Sequence, residues 1–204
     1  IVIGSNNNKT NRILKNLYSP LISKGAQYIN TSRRAAELIK YASNAFLATK
    51  ITFINELANL CEKTDINVED ISIGMGLDKR IGGRFLRAGP AYGGSCFPKD
   101  TKAITSTADK YKINLSLVKS VIKSNNKRID LLTKRVHKIL GNNLKGKKIS
   151  ILGVTFKPNT DDMRDSTSLK MIPYLTKKRA LVSYYDPSGE KKAFKNLTNC
   201  IFKN

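Results

Sequence analysis

The sequence lacks any long apolar run. No stretch of its 204 residues approaches the roughly 20 apolar residues that a membrane helix needs. The first four residues, Ile-Val-Ile-Gly, also lack the charged segment, apolar segment and cleavage site of a secretion signal. We therefore expect a soluble cytoplasmic protein with no membrane partner. Because the chain opens on an apolar tripeptide instead of Met, we also expect it to be part of a longer protein.

Cysteine and histidine are scarce. The three cysteines, Cys61, Cys96 and Cys200, are odd in number and far apart, which fits neither a disulfide framework nor a zinc-binding spacing. The single histidine, His137, has no carboxylate or nucleophile paired with it in the sequence, so we expect a structural or surface role. We expect no metal site, and one cysteine is left free for chemistry.

Acidic residues are also few, 15 against 37 lysines and arginines, which gives a formal net charge of +22. Such a charge raises the possibility of a nucleic-acid partner. The basic residues are scattered, however, and no zinc-finger or RNA-binding aromatic motif accompanies them. A codon bias towards Lys, Asn and Ile explains much of the excess, so we expect no nucleic-acid partner.

The apolar spacing predicts an α/β chain whose middle part is helical. Residues 1–4 and 26–30 are short strand candidates, and a helix at residues 11–18 is ended by Pro20. Residues 32–62 contain no Gly or Pro and keep helical spacing, which predicts one long helix buried on more than one side. A helix of that length usually packs against a partner helix or subunit. Further helices are predicted at residues 68–75, 101–111 and 115–140, separated by a glycine-rich loop at residues 74–94.

The last third of the sequence changes pattern. After a polar linker at residues 142–147, a strand at 148–152, a helix at 168–178 and a strand at 180–185 predict the opening βαβ unit of a doubly wound sheet. Two strands with one crossover cannot bury both faces of a sheet. We therefore expect more chain to follow residue 204.

The glycine-rich loop leads to a candidate nucleophile. Residues 93–100 are Gly-Gly-Ser-Cys-Phe-Pro-Lys-Asp, so Cys96 lies just before a helix that Pro98 can start and close to Lys99. A thiol at a helix N-terminus beside a cation has its thiolate form favoured. On these residues alone, Cys96 is equally well a small buried apolar side chain in a loop whose glycines only make turns.

Three blocks in the sequence, in the right order, closely resemble the UDP-glucose 6-dehydrogenases. Residues 80–82 (Arg-Ile-Gly), 85–89 (Phe-Leu-Arg-Ala-Gly) and 93–100 resemble the active-site loop of that family. Residues 36–48 (Ala-Glu-Leu-Ile-Lys-Tyr-Ala-Ser-Asn-Ala-Phe-Leu-Ala) resemble its central helix. Residues 153–157 (Gly-Val-Thr-Phe-Lys) and 161–166 (Asp-Asp-Met-Arg-Asp-Ser) resemble the start of its C-terminal domain. The resemblance runs through essentially the whole chain.

The resemblance implies a reaction and its catalytic residues. The family oxidises the primary alcohol of a nucleotide sugar to a carboxylate in two hydride transfers to NAD, with the carbon held on a cysteine as a thiohemiacetal and then a thioester. Cys96 matches that cysteine. Lys40 matches a residue that stabilises the substrate oxygen or exchanges its proton, and Asn44 and Asp100 match helpers of the oxyanion and the water. Most lysines are solvated surface residues, but the match of Lys40 to the family motif favours a catalytic role for it.

The resemblance also implies binding residues, with UDP-glucose as substrate and NAD as cofactor. The matched cofactor contacts are Cys96, Lys99 and Arg164. Arg80 matches a residue that often reaches the sugar nucleotide across a dimer interface, and a homodimer through the long helix is implied. The matched substrate contacts are Lys40, Asn44, Arg80, Phe85, Leu86, Arg87, Ala88, Gly89, Tyr92, Gly93, Phe156 and Lys157.

The sequence departs from the family at its start, because no Gly-x-Gly-x-x-Gly turn follows the first strand. We therefore interpret residues 1–30 as the tail of a largely missing NAD-binding Rossmann domain. Residues 31–141 are interpreted as the helical, dimerising central domain, and residues 142–204 as the start of a Rossmann-like UDP-binding domain. Two alternatives stay open. One is a GDP-mannose 6-dehydrogenase, although Phe97 and the Phe-Leu-Arg-Ala-Gly segment favour UDP-glucose; the other is a non-catalytic product of a split or decayed gene that only dimerises.

Overall fold

The computed structural model describes residues 1–203, and its first region is a small parallel βαβ unit. Strand β1 (Val2–Gly4) pairs in parallel with β2 (Ile29–Thr31), and helices α1 (Asn8–Leu17) and α2 (Ser19–Ile22) form the crossover. Helix α1 begins three residues earlier than predicted, because its capping turn is polar and carries no apolar signal. The helix does end before the proline at position 20, which lies in the first turn of α2.

The central region is built on one long helix, α3 (Arg33–Thr64), as the sequence predicted. Its first turn is capped by Ser32, whose Oγ accepts a hydrogen bond from the N–H of Ala35. Within residues 1–203 only one face is buried against the rest of the chain, so burial on more than one side is not observed. An opposite line of apolar side chains, spaced seven residues apart, stays exposed: Ile39, Phe46, Phe53 and Leu60.

Three further helices complete the central region: α4 (Val68–Leu77), α5 (Phe97–Lys110) and α6 (Ser116–Ile139). Helices α5 and α6 pack against α3 and against each other. Helix α5 begins four residues before the predicted start at 101, because proline fits the first turn of a helix. No helix within residues 1–203 is both long enough and apolar enough to cross a membrane.

The C-terminal region is a three-stranded parallel sheet of β3 (Lys148–Leu152), β4 (Leu181–Tyr185) and β5 (Cys200–Phe202), in that order. Helix α7 (Ser168–Lys177) connects β3 to β4, which confirms the predicted βαβ unit. The prediction of only two strands was wrong. Strand β5 was missed because three apolar residues are too short a run to show an alternating pattern. The last residue of the expected C-terminal domain, 204, lies outside the described residues.

The C-terminal sheet buries one face only. On that face Val182 and Tyr184 pack against α7 and a short turn of 3-10 helix (Lys192–Phe194), forming a continuous apolar core. On the other face the described chain leaves apolar side chains in solvent. These are Leu152, Leu181, Tyr185 and Ile201. The expectation that two strands and one crossover cannot cover both faces therefore holds for three strands as well.

Candidate active site

Cys96 lies immediately before α5, at the position that caps the N-terminus of the helix. Its thiol is exposed, whereas Cys61 is buried and Cys200 is half-buried. The nearest polar side chain is Ser95, whose Oγ lies 3.7 Å from Sγ. The main-chain N–H groups of a first helical turn carry a partial positive charge, which stabilises an anion at this position. Of the three thiols, that of Cys96 is the most exposed.

Asp100 is the centre of a polar cluster one turn into α5. The carboxylate is only 1% exposed. Its Oδ2 accepts a hydrogen bond from Asn44 Nδ2 at 2.5 Å, and Lys40 Nζ lies 3.6 Å from the same oxygen. Lys99 Nζ lies 3.2 Å from the other oxygen, Oδ1, which accepts no well-directed hydrogen bond. Lys40 and Asn44, one turn apart on α3, therefore meet at a single carboxylate oxygen.

The surroundings of Asp100 favour its ionised form. Burial alone would raise its pKa, but the hydrogen bond from Asn44 and the positive charges of Lys99 and Lys40 outweigh burial. The pKa of Asp100 therefore lies below the ordinary value for a carboxyl group. At neutral pH this carboxylate is ionised and holds the Lys40 ammonium near the start of α5.

Three aromatic rings surround the start of α5. The Phe97 ring packs edge to face against Phe85 and Tyr92, with both centroid separations at 6.0 Å. Burial raises the pKa of the Tyr92 phenol. Phe85 has a φ of 65°, in the left-handed region that non-glycine residues rarely adopt. Such a conformation persists only where surrounding contacts determine it, and it is frequent at ligand-binding positions.

The glycine-rich loop is held by side chains from α3 and α6 that the sequence analysis did not single out. Asn125 accepts a hydrogen bond from the N–H of Tyr92 at 2.8 Å and donates one to its carbonyl oxygen at 3.1 Å. Asn55 accepts from the N–H of Gly89 at 2.7 Å, and Arg128 Nε donates to the Gly89 carbonyl oxygen at 2.7 Å. The main-chain N–H and carbonyl groups of two loop residues, Gly89 and Tyr92, are thus both hydrogen-bonded to side chains of the helices.

Lys50 holds the preceding part of the loop, with Nζ 2.9 Å from the carbonyl oxygens of both Ile81 and Gly82.

The sequence contains a signal for the buried asparagines of this site. Asn44 and Asn55 lie on the buried, mostly apolar face of α3, and Asn125 lies likewise on α6. A polar residue on the apolar face of a helix needs a hydrogen-bond partner, so its position indicates a fixed loop nearby.

The predicted sugar-nucleotide residues of the loop differ in exposure. The side chain of Leu86 is buried, so it has no free surface to offer a ligand, while Phe85 and Arg87 are exposed and Ala88 is partly exposed. The N–H groups of Gly89 and Tyr92 are already occupied. Those of Arg87, Ala88 and Gly93 make no hydrogen bond within residues 1–203.

The C-terminal region meets this loop directly. The N–H of Gly94 donates to the carbonyl oxygen of Arg164 at 2.7 Å. The Phe156 ring packs so closely over Gly94 that a Cβ there would lie 2.5 Å from a ring carbon, and one at Gly93 would lie 2.3 Å from the Asp165 oxygen. Glycine at these two positions is what lets the two regions approach. The structure therefore brings Phe156 beside the Cys96 loop.

Three predicted binding cations are exposed. Lys157 Nζ lies 5.3 Å from the centre of the Phe156 ring. The Arg164 guanidinium forms a fork with Asp162 that raises the pKa of Arg164, and Arg164 lies near enough to Cys96 for a thiolate there to raise this pKa further. Arg80 pairs with an aspartate two residues before it and is 90% exposed. Within residues 1–203 the Arg80 side chain forms its hydrogen bonds and ion pair with Asp78 and with none of the other predicted site residues.

The residues that the structure describes fit one part of a bound NAD. Lys99 and Arg164 offer two exposed cations close to Cys96, as a pyrophosphate requires. The turn between β1 and α1, residues 5–7, is Ser-Asn-Asn and holds no glycine. Its backbone does not provide the close approach of a dinucleotide turn. No group of three His, Cys, Asp or Glu side chains within residues 1–203 is placed to hold a metal ion.

His137 lies outside this site. Its Nε2 is 2.6 Å from the carbonyl oxygen of Asn142, and its ring packs edge to face against Tyr174 of α7. The imidazole therefore joins the end of α6 to the C-terminal region. These contacts fit the structural role expected for it.

Comparison with known proteins places these regions in one family. The sequence pattern of the UDP-glucose/GDP-mannose dehydrogenase family, central domain, matches residues 34–127, and that of its UDP binding domain matches residues 150–203. The chain is 49% identical over 197 residues to a UDP-glucose 6-dehydrogenase of Rickettsia typhi, covering 97% of the chain and 45% of that protein. It is 48% identical over 187 residues to one of Bacillus subtilis, covering 92% of the chain and 42% of the relative.

A solved structure agrees with the sequence comparisons. The UDP-glucose dehydrogenase of the hyperthermophilic archaeon Pyrobaculum islandicum superposes with a TM-score of 0.92 at 34% identity, over 100% of this chain and 46% of that one. The chain thus spans slightly less than half the length of the relatives it matches. Both family patterns occur in their order along the sequence and together cover most of it. The chain belongs to the UDP-glucose/GDP-mannose dehydrogenase family.

Proposed function

We propose that the chain forms the sugar-nucleotide-binding and cysteine-bearing part of an NAD-dependent enzyme that oxidises UDP-glucose to UDP-glucuronate. The relatives named UDP-glucose 6-dehydrogenase support the substrate. The observation that carries the proposal is the convergence of Lys40 and Asn44 on the buried carboxylate of Asp100, one turn after the exposed thiol of Cys96. Residues 1–30, 31–141 and 142–204 are the proposed domain parts.

In this proposal Cys96 keeps the substrate bound between two oxidations. The first oxidation converts the C6 alcohol to an aldehyde by loss of a hydride and the hydroxyl proton. Sγ of Cys96 then adds to C6, the carbonyl π bond opens, and the thiol proton passes to the oxygen. Loss of a second hydride from C6, together with the hydroxyl proton, gives a thioester, which water hydrolyses to the carboxylate and the free thiol. NAD, when bound, supplies the acceptor for each hydride.

The polar cluster stabilises charge on the C6 oxygen. The Lys40 ammonium, held by Asp100, is 60% exposed and therefore accessible to a substrate oxygen. Asn44 keeps the carboxylate fixed, so the ammonium is held in place before the reaction begins. Asp100 is also proposed to help orient the water for thioester hydrolysis, through Oδ1, which is shielded beside Lys99 in the free chain and accepts no well-directed hydrogen bond there.

The remaining predicted residues are proposed to bind the two nucleotides. The loop residues Phe85, Arg87, Ala88 and Gly89, with Tyr92 and Gly93, surround the diphosphate and sugar, and Leu86, whose side chain is buried, takes part only through its main chain. Loop N–H groups without a hydrogen bond within residues 1–203 are offered to phosphate oxygens. Phe156 and Lys157 contact the uridine part from the C-terminal region. Arg80 reaches the sugar nucleotide of a second copy, because its guanidinium contacts only a loop aspartate in its own chain. Cys96, Lys99 and Arg164 contact NAD.

A homodimer through α3 is part of the same proposal. The exposed residues Ile39, Phe46, Phe53 and Leu60 recur every seven positions, the repeat by which helices pair along an apolar seam. Sedimentation tests this. We expect the chain to sediment as a dimer and Phe53→Glu as a monomer, while Leu117→Glu, at an even more exposed apolar position on α6, stays dimeric. A dimeric Phe53→Glu variant contradicts this interface.

Calorimetric titration of the 204-residue chain tests the substrate. We expect UDP-glucose to bind and GDP-mannose to bind at least about tenfold more weakly, because a site that recognises one base by hydrogen bonds leaves polar groups unpaired with another. Tighter binding of GDP-mannose would change the assigned substrate. Binding of neither nucleotide sugar contradicts the proposed function.

The cysteine step is tested with the C6 aldehyde of UDP-glucose. Mass spectrometry of the parent chain with this aldehyde, under activation that removes non-covalently bound ligand, is expected to show an adduct of one aldehyde; aldehyde that borohydride has first reduced to the alcohol is expected to give none. Cys96→Ser is expected to bind UDP-glucose normally and to form no such adduct. Cys61→Ser, which changes a buried thiol, serves as the matched control and is expected to keep the adduct. An adduct on the Cys96→Ser variant contradicts the assignment of the nucleophile.

A further inference from the structure

One cation near the loop has no anionic partner. The half-buried guanidinium of Arg128 on α6 donates to three neutral oxygens: the Gly89 carbonyl at 2.7 Å, the Asn55 carbonyl at 2.9 Å and Asn59 Oδ1 at 2.9 Å. No carboxylate of the described chain lies within ion-pair distance of it. Glu62, whose charge raises the pKa of Arg128, is itself paired with Arg135 one heptad further along α6.

Leaving this charge unpaired is costly for the free protein. Burial lowers the pKa of Arg128, the positive charge of Arg135 lowers it further, and Glu62 offsets only part of this effect. A partly buried charge is stabilised when an opposite charge binds close to it. The free chain supplies hydrogen bonds to the guanidinium but no negative charge.

The position of Arg128 indicates where a negative charge belongs. Its Nε holds the carbonyl oxygen of Gly89, and the two preceding residues, Arg87 and Ala88, have N–H groups that make no hydrogen bond within residues 1–203. Consecutive free N–H groups on a loop are a preferred environment for phosphate oxygens. An anion bound to this segment would lie in the field of the guanidinium behind the loop.

We propose that Arg128 is a positioning residue for the diphosphate of the bound nucleotide: it fixes the Gly89 peptide and supplies, from behind the loop, the positive charge that the diphosphate requires. This inference rests on the proposed function and adds to it a residue outside the three recognised sequence blocks. Arg128 acts through the loop and its charge. It does not take part in the oxidation.

Titration with UDP and with uridine separates charge from fold. Both ligands share the nucleoside, and only UDP carries the diphosphate. At an effective dielectric constant of about 20, one unit charge roughly 10 Å away changes an anion's affinity by about tenfold or more. We therefore expect Arg128→Gln to weaken UDP binding about tenfold and uridine binding by less than about twofold. Arg135→Gln is the matched control, because it removes the same charge from the same helix, and we expect it to leave both affinities unchanged.

A lysine variant separates the charge from the fork of hydrogen bonds. Arg128→Lys keeps the charge, so we expect UDP binding within about threefold of the parent chain. A loss of UDP affinity greater than threefold in Arg128→Lys overturns the charge role. This test remains valid even if circular dichroism shows that Arg128→Gln is unfolded. Equal losses for UDP and uridine in a folded Gln variant identify a merely structural residue and overturn the proposal. An equal effect of Arg135→Gln also overturns it, because the effect then comes from net charge.

The parent chain distinguishes this inference from the proposed function. If the parent binds UDP and Arg128→Gln binds it equally well, the inference is wrong and the proposed function stands. If the parent binds neither UDP nor UDP-glucose, the proposed function is wrong and this inference falls with it.

Discussion

The central helical region, residues 33–139, and the C-terminal α/β region, residues 148–202, are held together by different means. The C-terminal region contributes seven of the eight buried apolar residues of one continuous core, which the preceding residue Leu144 completes and many partly buried residues join. Around the candidate site, the comparable cluster of the central region has three: Ala48, Tyr92 and Val121. The loop that carries the site is fixed mainly by buried side-chain amides and one arginine.

This difference separates the stability of the chain from the geometry of its site. Apolar packing is non-directional and tolerates exchanges of similar volume, so it specifies a fold but not the placement of a peptide group. Hydrogen bonds to buried amides have fixed lengths and directions, and they are costly when left unpaired. The region with the weaker apolar cluster is therefore the one that holds a loop backbone in a defined position.

The largest expected effect comes from the one buried ion pair of the C-terminal region. Asp186 accepts from the N–H of Val154 at 2.9 Å and lies 3.3 Å from Lys191 Nζ, and both side chains are almost fully buried. Burial opposes ionisation, but the hydrogen bonds from Ser188, Val154 and Lys191 hold the pKa of Asp186 well below its usual range. We expect Asp186→Asn to lower the free energy of unfolding by about 3–5 kcal/mol, because a buried ammonium loses its partner.

Urea unfolding measures this effect. The control is Glu190→Gln, which removes an exposed ion pair with Lys195 close by in sequence and is expected to change stability by less than about 1 kcal/mol. Equal effects of the two variants would show that the buried pair adds nothing to the apolar core.

The second prediction concerns the junction between the two regions. Gly94 has a φ of +79°, and a Cβ there would lie 2.5 Å from the ring of Phe156. We expect Gly94→Ala to cost about 2–4 kcal/mol, from left-handed strain and from displacement of the ring. Chemical denaturation gives the cost. Gly89→Ala is the control, because nothing lies within 4 Å of its Cβ position, and it is expected to stay within about 1 kcal/mol of the parent. A neutral Gly94→Ala would mean that the two regions do not pack as described.

The third prediction tests the polar anchoring of the loop. We expect Asn125→Ala to lower the free energy of unfolding by about 1–3 kcal/mol, because the N–H and carbonyl oxygen of Tyr92 lose their partners in a buried setting. The neighbouring residue gives a matched control. Asn126 is exposed, so Asn126→Ala is expected to change stability by no more than about 0.5 kcal/mol. If both variants unfold alike, the loop is not held by Asn125.

The same contrast explains what the sequence could and could not predict. The long helix and the βαβ unit follow from apolar periodicity, which is the signal of a packed core. Strand β5 is too short to give that signal. Asparagines on the apolar faces of helices indicate that a buried partner exists, but the sequence does not identify it, because the loop partners of these asparagines and of Arg128 are main-chain groups 33 to 39 residues away. The meeting of Lys40 and Asn44 was predictable from their spacing on α3, whereas their common partner Asp100 came from the family resemblance.

The smallest expected effect is the pH dependence of the Asp100 cluster. The pKa of Asp100 in the folded chain lies below the ordinary 3.8, so its ionised form stabilises the fold at pH values above 3.8. As the pH falls from 3.8 through the lowered pKa, the unfolded chain is protonated at Asp100 before the folded chain is. The unfolded state is therefore favoured in this range, and the stabilisation is lost. The hydrogen bond from Asn44 and the contacts of Lys40 and Lys99 with Asp100, which cause the effect, form only in the folded state.

Urea unfolding of the parent and of Asp100→Asn between pH 6 and pH 2.5 isolates this contribution, because every other carboxyl group titrates in both proteins. We expect the parent to be the more stable at pH 6 and the difference to shrink below about pH 4. A difference that is constant over this range would mean that Asp100 is held by packing and not by charge. In that case the central region would depend on apolar packing, as the C-terminal region does, more than its polar contacts indicate. Lys40 would then not be held by a charged carboxylate at the pH where the enzyme is proposed to work.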